Sequence, residues 1–192
     1  MNYKGLFQRI MLLIYAPGKA WSEIASEDRR SVLAGFVYPM IGLCGLAVFL
    51  GVLLQGGNGE NGNIVFQRAM TECCKVFVAL FGGYFLAAYG INQLGVKMFK
   101  RSNDLLLIQQ FAGYSLVVTF LLKVLTGILP DLQIFSWVFQ FYIIYVVWEG
   151  VRILLQVEEK YQMRYTLITS VLLLLCPYLL GSVFNLLTTV LN

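Results

Sequence analysis

Apolar residues run in long blocks between short polar connections, and five blocks are long enough to cross a membrane as helices. Such a helix needs roughly 20 mostly apolar residues at about 1.5 Å each. The charge-free stretches are 31–59, 76–96, 105–122, 132–148 and 165–192. Trimmed or extended by their apolar pattern, they predict spans at about 31–54, 76–96, 105–129, 132–155 and 165–191. A transmembrane barrel would instead show alternating strands of about 10 residues. Irregular backbone cannot face lipid, because its N–H and C=O groups would lack partners. The expected fold is therefore all-α: a polytopic bundle of five transmembrane helices (31–192) behind an amphipathic interfacial segment (1–30).

Within that first segment, residues 2–16 carry Leu6, Ile10 and Leu13 at helical spacing beside Phe7, Met11 and Ile14. Lys4, Gln8 and Arg9 gather on the other side, an arrangement suited to a helix lying among headgroups. A signal peptide is the competing reading of the short apolar core at 10–16, but Pro17 and Lys19 sit awkwardly for cleavage. Pro17 opens a second short helix, since the first helical position needs no donor. Ala20, Trp21 and Ile24 are then expected to face the membrane, with Trp21 at its interface. The connection 55–63 (QGGNGENGN) is a turn region, with Asn63 expected to cap a helix starting at Ile64. Pro130 and Asp131 mark a tight turn, and Pro39 and Pro177 are expected to kink the first and last spans.

Composition agrees with this picture and removes several functions. Of 192 residues, 59% are hydrophobic and 12% charged, with a mean hydropathy of +0.75. Soluble domains average about 45–50% apolar and about 25% charged. A soluble enzyme, a disordered tail and a disulfide-rich secreted module are excluded. The net charge of +4 comes from scattered residues, so no continuous face for nucleic acid is expected. The chain has no histidine, no G-x-S-x-G, no P-loop and no dinucleotide fingerprint. Cys44 and Cys176 lie inside spans, and the adjacent Cys73 and Cys74 lack the spacing of a zinc site or a cytoplasmic lipidation position. No catalytic residue, metal or cofactor is expected.

Eleven of the fourteen Lys and Arg residues fall on one side of the predicted spans. They are Lys4, Arg9, Lys19, Arg29 and Arg30, then Lys97, Lys100 and Arg101, then Arg152, Lys160 and Arg164; Arg68, Lys75 and Lys123 lie on the other. The positive-inside rule puts the N-terminus in the cytoplasm and the C-terminus outside. Ionisable and polar groups within spans are candidate sites. Glu149 and Arg152, three apart on the fourth span, can pair, and serve either as a helix-orienting pair or as a docking or ion site. Gln140, nearer mid-membrane, is expected to bond a neighbouring helix, and Lys123 to reach toward headgroups. Ala47 and Gly51, and Ala79, Gly83 and Ala87, allow close helix approach, read as packing within the chain with a homo-oligomer as the alternative.

As a set, several short motifs resemble the Yip-domain family of membrane proteins, named for interaction with Rab/Ypt GTPases. These are Pro17-x-x-x-Trp21-x-x-Ile24, Tyr114-Ser115-Leu116, Ile128-Leu129-Pro130, and Tyr142-Ile143-Ile144-Tyr145 running into Gly150-Val151. The resemblance extends from about Phe7 to Leu187 and implies five spans with a cytoplasmic N-terminus. Where family members with a long hydrophilic N-terminal region carry Asp-Leu-Tyr-Gly-Pro, this chain reads Tyr15-Ala16-Pro17-Gly18. With about 30 residues before the first span, it is similar to the short prokaryotic branch, which favours a bacterial inner membrane and does not carry over Rab binding. What the resemblance implies is a compact five-helix membrane domain that shapes, organises or recruits others at a membrane without chemistry of its own. The amphipathic N-terminal helix, the eleven-to-three charge bias and the missing catalytic set add the expectation of a non-enzymatic scaffold or adaptor that meets membrane lipids or a protein partner at its basic cytoplasmic face, with Pro17 and Trp21 as interaction or structural residues. The alternatives are a small transporter or channel component using Glu149, Arg152 and Gln140, and a subunit of a larger membrane enzyme.

Overall fold

A computed structural model describes residues 3–56 and 61–191, and among them every regular element is helical. Two short helices, α1 (Tyr3–Tyr15) and α2 (Pro17–Ile24), lead into the bundle. Next come a π turn (Leu33–Val37) continuous with α3 (Tyr38–Gln55), then α4 (Gly62–Phe77), a second π turn (Val78–Gly82) and α5 (Gly83–Phe99). The remainder is α6 (Leu105–Ser115), α7 (Val117–Ile128), a 3-10 turn (Pro130–Leu132), α8 (Gln133–Phe139), α9 (Tyr142–Ile153) and α10 (Glu159–Leu191). Among the described residues four helices are long and apolar enough to cross a membrane, and α8 with α9 forms a fifth when that bent pair counts as one. The chain is an all-α polytopic bundle.

Prolines and caps explain where several elements bend or begin. Pro39 has no N–H to return to the Gly35 carbonyl, and the strain is absorbed just upstream as the π turn, where Tyr38 N–H bonds Leu33 O. Around Pro177, by contrast, α10 stays one helix. The cap of α4 is Asn61, whose side chain accepts from Asn63 N–H; the expectation of Asn63 as cap was two residues late. Residues 57–60 of that glycine-rich connection lie outside the described part. The fourth span, expected as one helix, bends by 42° between α8 and α9. There Phe141, Ile143 and Ile144 N–H groups bond carbonyls three residues back, tightening the chain without Pro or Gly.

Small residues set how closely the helices approach. A Cβ on Gly51 of α3 would lie 1.7 Å from the Gly127 carbonyl oxygen of α7, so these helices touch backbone to backbone. A Cβ on Gly83 of α5 would lie 2.6 Å from the Pro177 Cα of α10. The small-residue faces read from the sequence are thus occupied by partners within the chain. Gly51→Ala forces α3 and α7 apart and is expected to lower stability by about 1–3 kcal/mol. Gly42→Ala, with nothing within 4 Å of its new Cβ, should leave the thermal midpoint in detergent unchanged or slightly raised. Equal midpoints for the two variants would refute the backbone contact.

Candidate interaction site

The N-terminal helices are built into the bundle. Trp21, Ala20 and Ile24 are all 0% exposed, which corrects the expectation that they face the membrane. The physical reason lies in α9: Gly150 lacks a side chain, and a Cβ there would sit 2.7 Å from the Trp21 ring and 2.8 Å from Phe111. The indole fills that gap, stacks on Phe111 at 5.6 Å and meets the edge of Tyr114 at 6.4 Å. Its Nε1–H donates to Val146 O at 2.9 Å. Motifs far apart in the sequence, around Trp21, Tyr114 and Gly150, therefore meet in one cluster. Pro17, also buried, starts α2 beside them.

Bundle side chains also complete the ends of α1 and α2. Helix C-termini leave carbonyls without intrahelical partners. Tyr142 O–H donates to Ile14 O at 2.7 Å, and the buried Gln110 amide donates to Ile24 O at 2.9 Å. Arg9, expected among the headgroup-facing cations, instead turns inward. Its guanidinium donates to Glu23 at 2.9 Å and to Glu27, and Tyr114 O–H donates to the other Glu27 oxygen at 2.9 Å. Two carboxylates close to α1 outcompete headgroups for this cation. A cleft of about 630 Å³ opens beside the cluster, lined by Gly5, Leu6, Ser31, Tyr114 and residues 34–36 of the first π turn.

The face α1 leaves outward differs from the one its pattern predicts. Ile10 and Leu13 are buried, while Phe7 (63% exposed), Met11 and Tyr15 (78% exposed) form an outward ridge at four-residue spacing. Lys4 and Gln8 are exposed. The helix is thus apolar on two sides, one against the bundle and one free.

Glu149 and Arg152 form an ion pair at 3.2 Å, with the Glu149 side chain 11% and that of Arg152 59% exposed. Glu149 Oε2 has no hydrogen-bond partner among the described residues. It lies 3.3 Å from where a Gly18 Cβ would be, at the start of α2, where the positive end of the helix dipole favours a carboxylate. The pair lies within α9, on the side where that helix packs against α2. Gln140 sits at the bend and donates to Thr119 Oγ1 on α7 at 2.7 Å. Ile143, Val146 and Val147, all fully buried, separate Gln140 from Glu149, which are about 13 Å apart along the helix. The structure brings Pro17, Trp21, Glu149 and Arg152 to one end of the molecule and leaves Gln140 apart. Sequence reasoning did not single out Gln110, Tyr114, Tyr142, Arg9 or Glu27 as site residues. The available signal was a polar Gln110 four residues before Tyr114 within an apolar span. Among the described residues no group of His, Cys, Asp and Glu could hold a metal ion.

The model of the Yip1 domain family matches residues 11–185. No curated protein and no solved structure matches the chain.

The Trp21 cluster yields a graded expectation. Trp21→Phe keeps the ring but loses the bond to Val146 O, costing about 1 kcal/mol. Trp21→Ala empties the Gly150 gap and costs about 3–5 kcal/mol. Thermal unfolding in detergent reads both. A Trp21→Ala variant as stable as wild type would place the indole in lipid after all.

Proposed function

Because the chain belongs to the Yip1 domain family of non-catalytic membrane proteins, we propose that it acts as a non-enzymatic membrane scaffold or adaptor. It is a multi-pass integral membrane protein. The bias of eleven cations to three supports a cytoplasmic N-terminus and an outside C-terminus, the orientation expected in a bacterial inner membrane. Residues 1–30 then form a cytoplasmic platform on a transmembrane domain at 31–192.

The observation that carries this reading is the outward ridge of Phe7, Met11 and Tyr15, with Lys4 near its start, on helices the bundle holds in place. Apolar anchors flanked by cations suit a headgroup surface or a protein partner at that face. Rigid mounting means that a partner docks without first ordering the segment, so less affinity is lost to entropy. The transporter alternative needs a polar route linking Gln140 to the Glu149–Arg152 pair. The fully buried Ile143, Val146 and Val147 speak against it.

Deleting residues 2–25 would also strip Trp21 and Ile24 from the core, so substitutions on the ridge make a cleaner test. Phe7→Ser/Met11→Ser/Tyr15→Ser should keep the wild-type thermal midpoint. It should also lose any protein that co-purifies at fixed stoichiometry with the wild type from mild detergent. A constant partner retained by this variant would refute the ridge as the docking face. Solute flux into proteoliposomes that falls with Glu149→Gln would overturn the scaffold reading in favour of transport.

A further inference from the structure

At the opposite end of the bundle, a second cleft of about 340 Å³ opens between α4, α7 and α10. Its floor is apolar and shallow because Ala79 and Gly181 face each other there, a Gly181 Cβ lying 3.6 Å from that of Ala79. Pro177 and Leu174 continue the floor toward mid-membrane. Its rim is polar: Lys75, Lys123, Ser182 and Asn185. Beyond Leu174 lies a further cleft of about 270 Å³ bounded by Gln133, Ser136 and Gln140 of the fourth span. On this side α8 packs on α7 and the 3-10 turn, with Ile134, Trp137 and Val138 exposed. The flank is thus open toward lipid.

The charges on the rim are not balanced. Lys75 contacts Glu72 of its own helix at 3.3 Å. Lys123 makes no ion pair among the described residues, although it sits five residues inside the end of α7, about 8 Å along the helix. A cation at that depth is costly without a counter-charge. The two lysines and Glu72 leave one net positive charge, matching one phosphodiester. A greasy groove leading down from a singly cationic rim has the shape and charge of a lipid with its chain below its headgroup.

We propose that this cleft binds one anionic phospholipid from the leaflet opposite the N-terminal helices. The headgroup phosphate lies on Lys123 and Lys75, and an acyl chain lies along the Ala79–Gly181 floor. The site is separate from the Trp21 cluster and independent of whether the ridge of Phe7, Met11 and Tyr15 recruits a partner.

Native mass spectrometry of the full-length protein, titrated with phosphatidylglycerol or with phosphatidylcholine of the same chains, tests this. The wild type should retain one phosphatidylglycerol in preference to phosphatidylcholine. Lys75→Gln/Lys123→Gln should weaken that binding by about fivefold per lysine and erase the preference. Gly181→Leu, which fills the floor without touching charge, should lose both lipids, and Lys97→Gln/Lys160→Gln at the other end should bind as wild type. The proposal is overturned if Lys75→Gln/Lys123→Gln binds phosphatidylglycerol like the wild type, or if Lys97→Gln/Lys160→Gln loses it equally. Unimpaired binding by Gly181→Leu overturns it too, as does displacement of the lipid by inorganic phosphate, which would mark a free-anion site.

Discussion

A backbone carbonyl that ends a helix near hydrocarbon must find a donor inside the protein, and that constraint organises the N-terminal third of this molecule. Water is scarce there, and an unmet polar group costs several kcal/mol. Helices α1 and α2 are 13 and 8 residues long, carry no cation in their last turns, and end against the bundle. Tyr142 and Gln110, from two different spans, donate to Ile14 O and Ile24 O, the latter carbonyl also accepting the Glu27 N–H of the following turn. The Trp21 indole donates in the reverse direction, from α2 to the Val146 carbonyl. With bonds running both ways, the unit cannot lift off without orphaning groups on both surfaces. That reciprocity turns a short amphipathic lead into a fixed part of the fold.

Charge spacing made the five apolar blocks and their helical nature legible, because an ionisable group in lipid is costly enough to mark boundaries. Local chemistry also located the start of α2 at Pro17 and the turn at Pro130. What it could not show was which side of an apolar helix faces protein. In a soluble protein an exposed face is polar, so periodicity separates core from surface. Here both environments are apolar, and Leu13 and Met11 carry the same signal though one is buried and the other exposed. Trp21 fails for a related reason: its partner space is the missing side chain of Gly150, a complementarity visible only once α2 and α9 are side by side. The bend at Gln140 has no Pro or Gly to announce it. Arg9 looked like a headgroup-facing cation because Glu23 and Glu27 approach it only after the turn between α1 and α2 has formed.

Glycine placement divides the bundle into parts held with different firmness. At Gly51 and Gly127 side chains are absent and backbones are in contact, and at Gly83 the missing side chain lets the backbone and ring of Pro177 come as close. Close-packed atoms tolerate little displacement, so α3 with α7, and α5 with α10, form a stiff frame. The Trp21 cluster is seated on the same frame through α6 and α9. The outer half of the fourth span is different: α8 is short, turned by 42° from α9, and exposes most of its large side chains. Its attachment to the frame includes the Gln140–Thr119 bond and packing on α7.

This division bears on how the two ends of the molecule can communicate. Coupling between distant sites needs an element with two discrete arrangements that both sites bias. The α9 helix begins just past Gln140 and carries the Glu149–Arg152 pair near its other end, but its residues Ile143, Val146, Val147 and Gly150 are held by burial and by the indole of Trp21. Motion of α8 at its bend would therefore be absorbed at Gln140 before it reached α2. Firmly packed N-terminal helices at one end and an exposed apolar flank on α8 follow from the same arrangement. Among the described residues, buried Ile143, Val146 and Val147 leave no polar route between Gln140 and the Glu149–Arg152 pair, which is what the proposed scaffold reading requires.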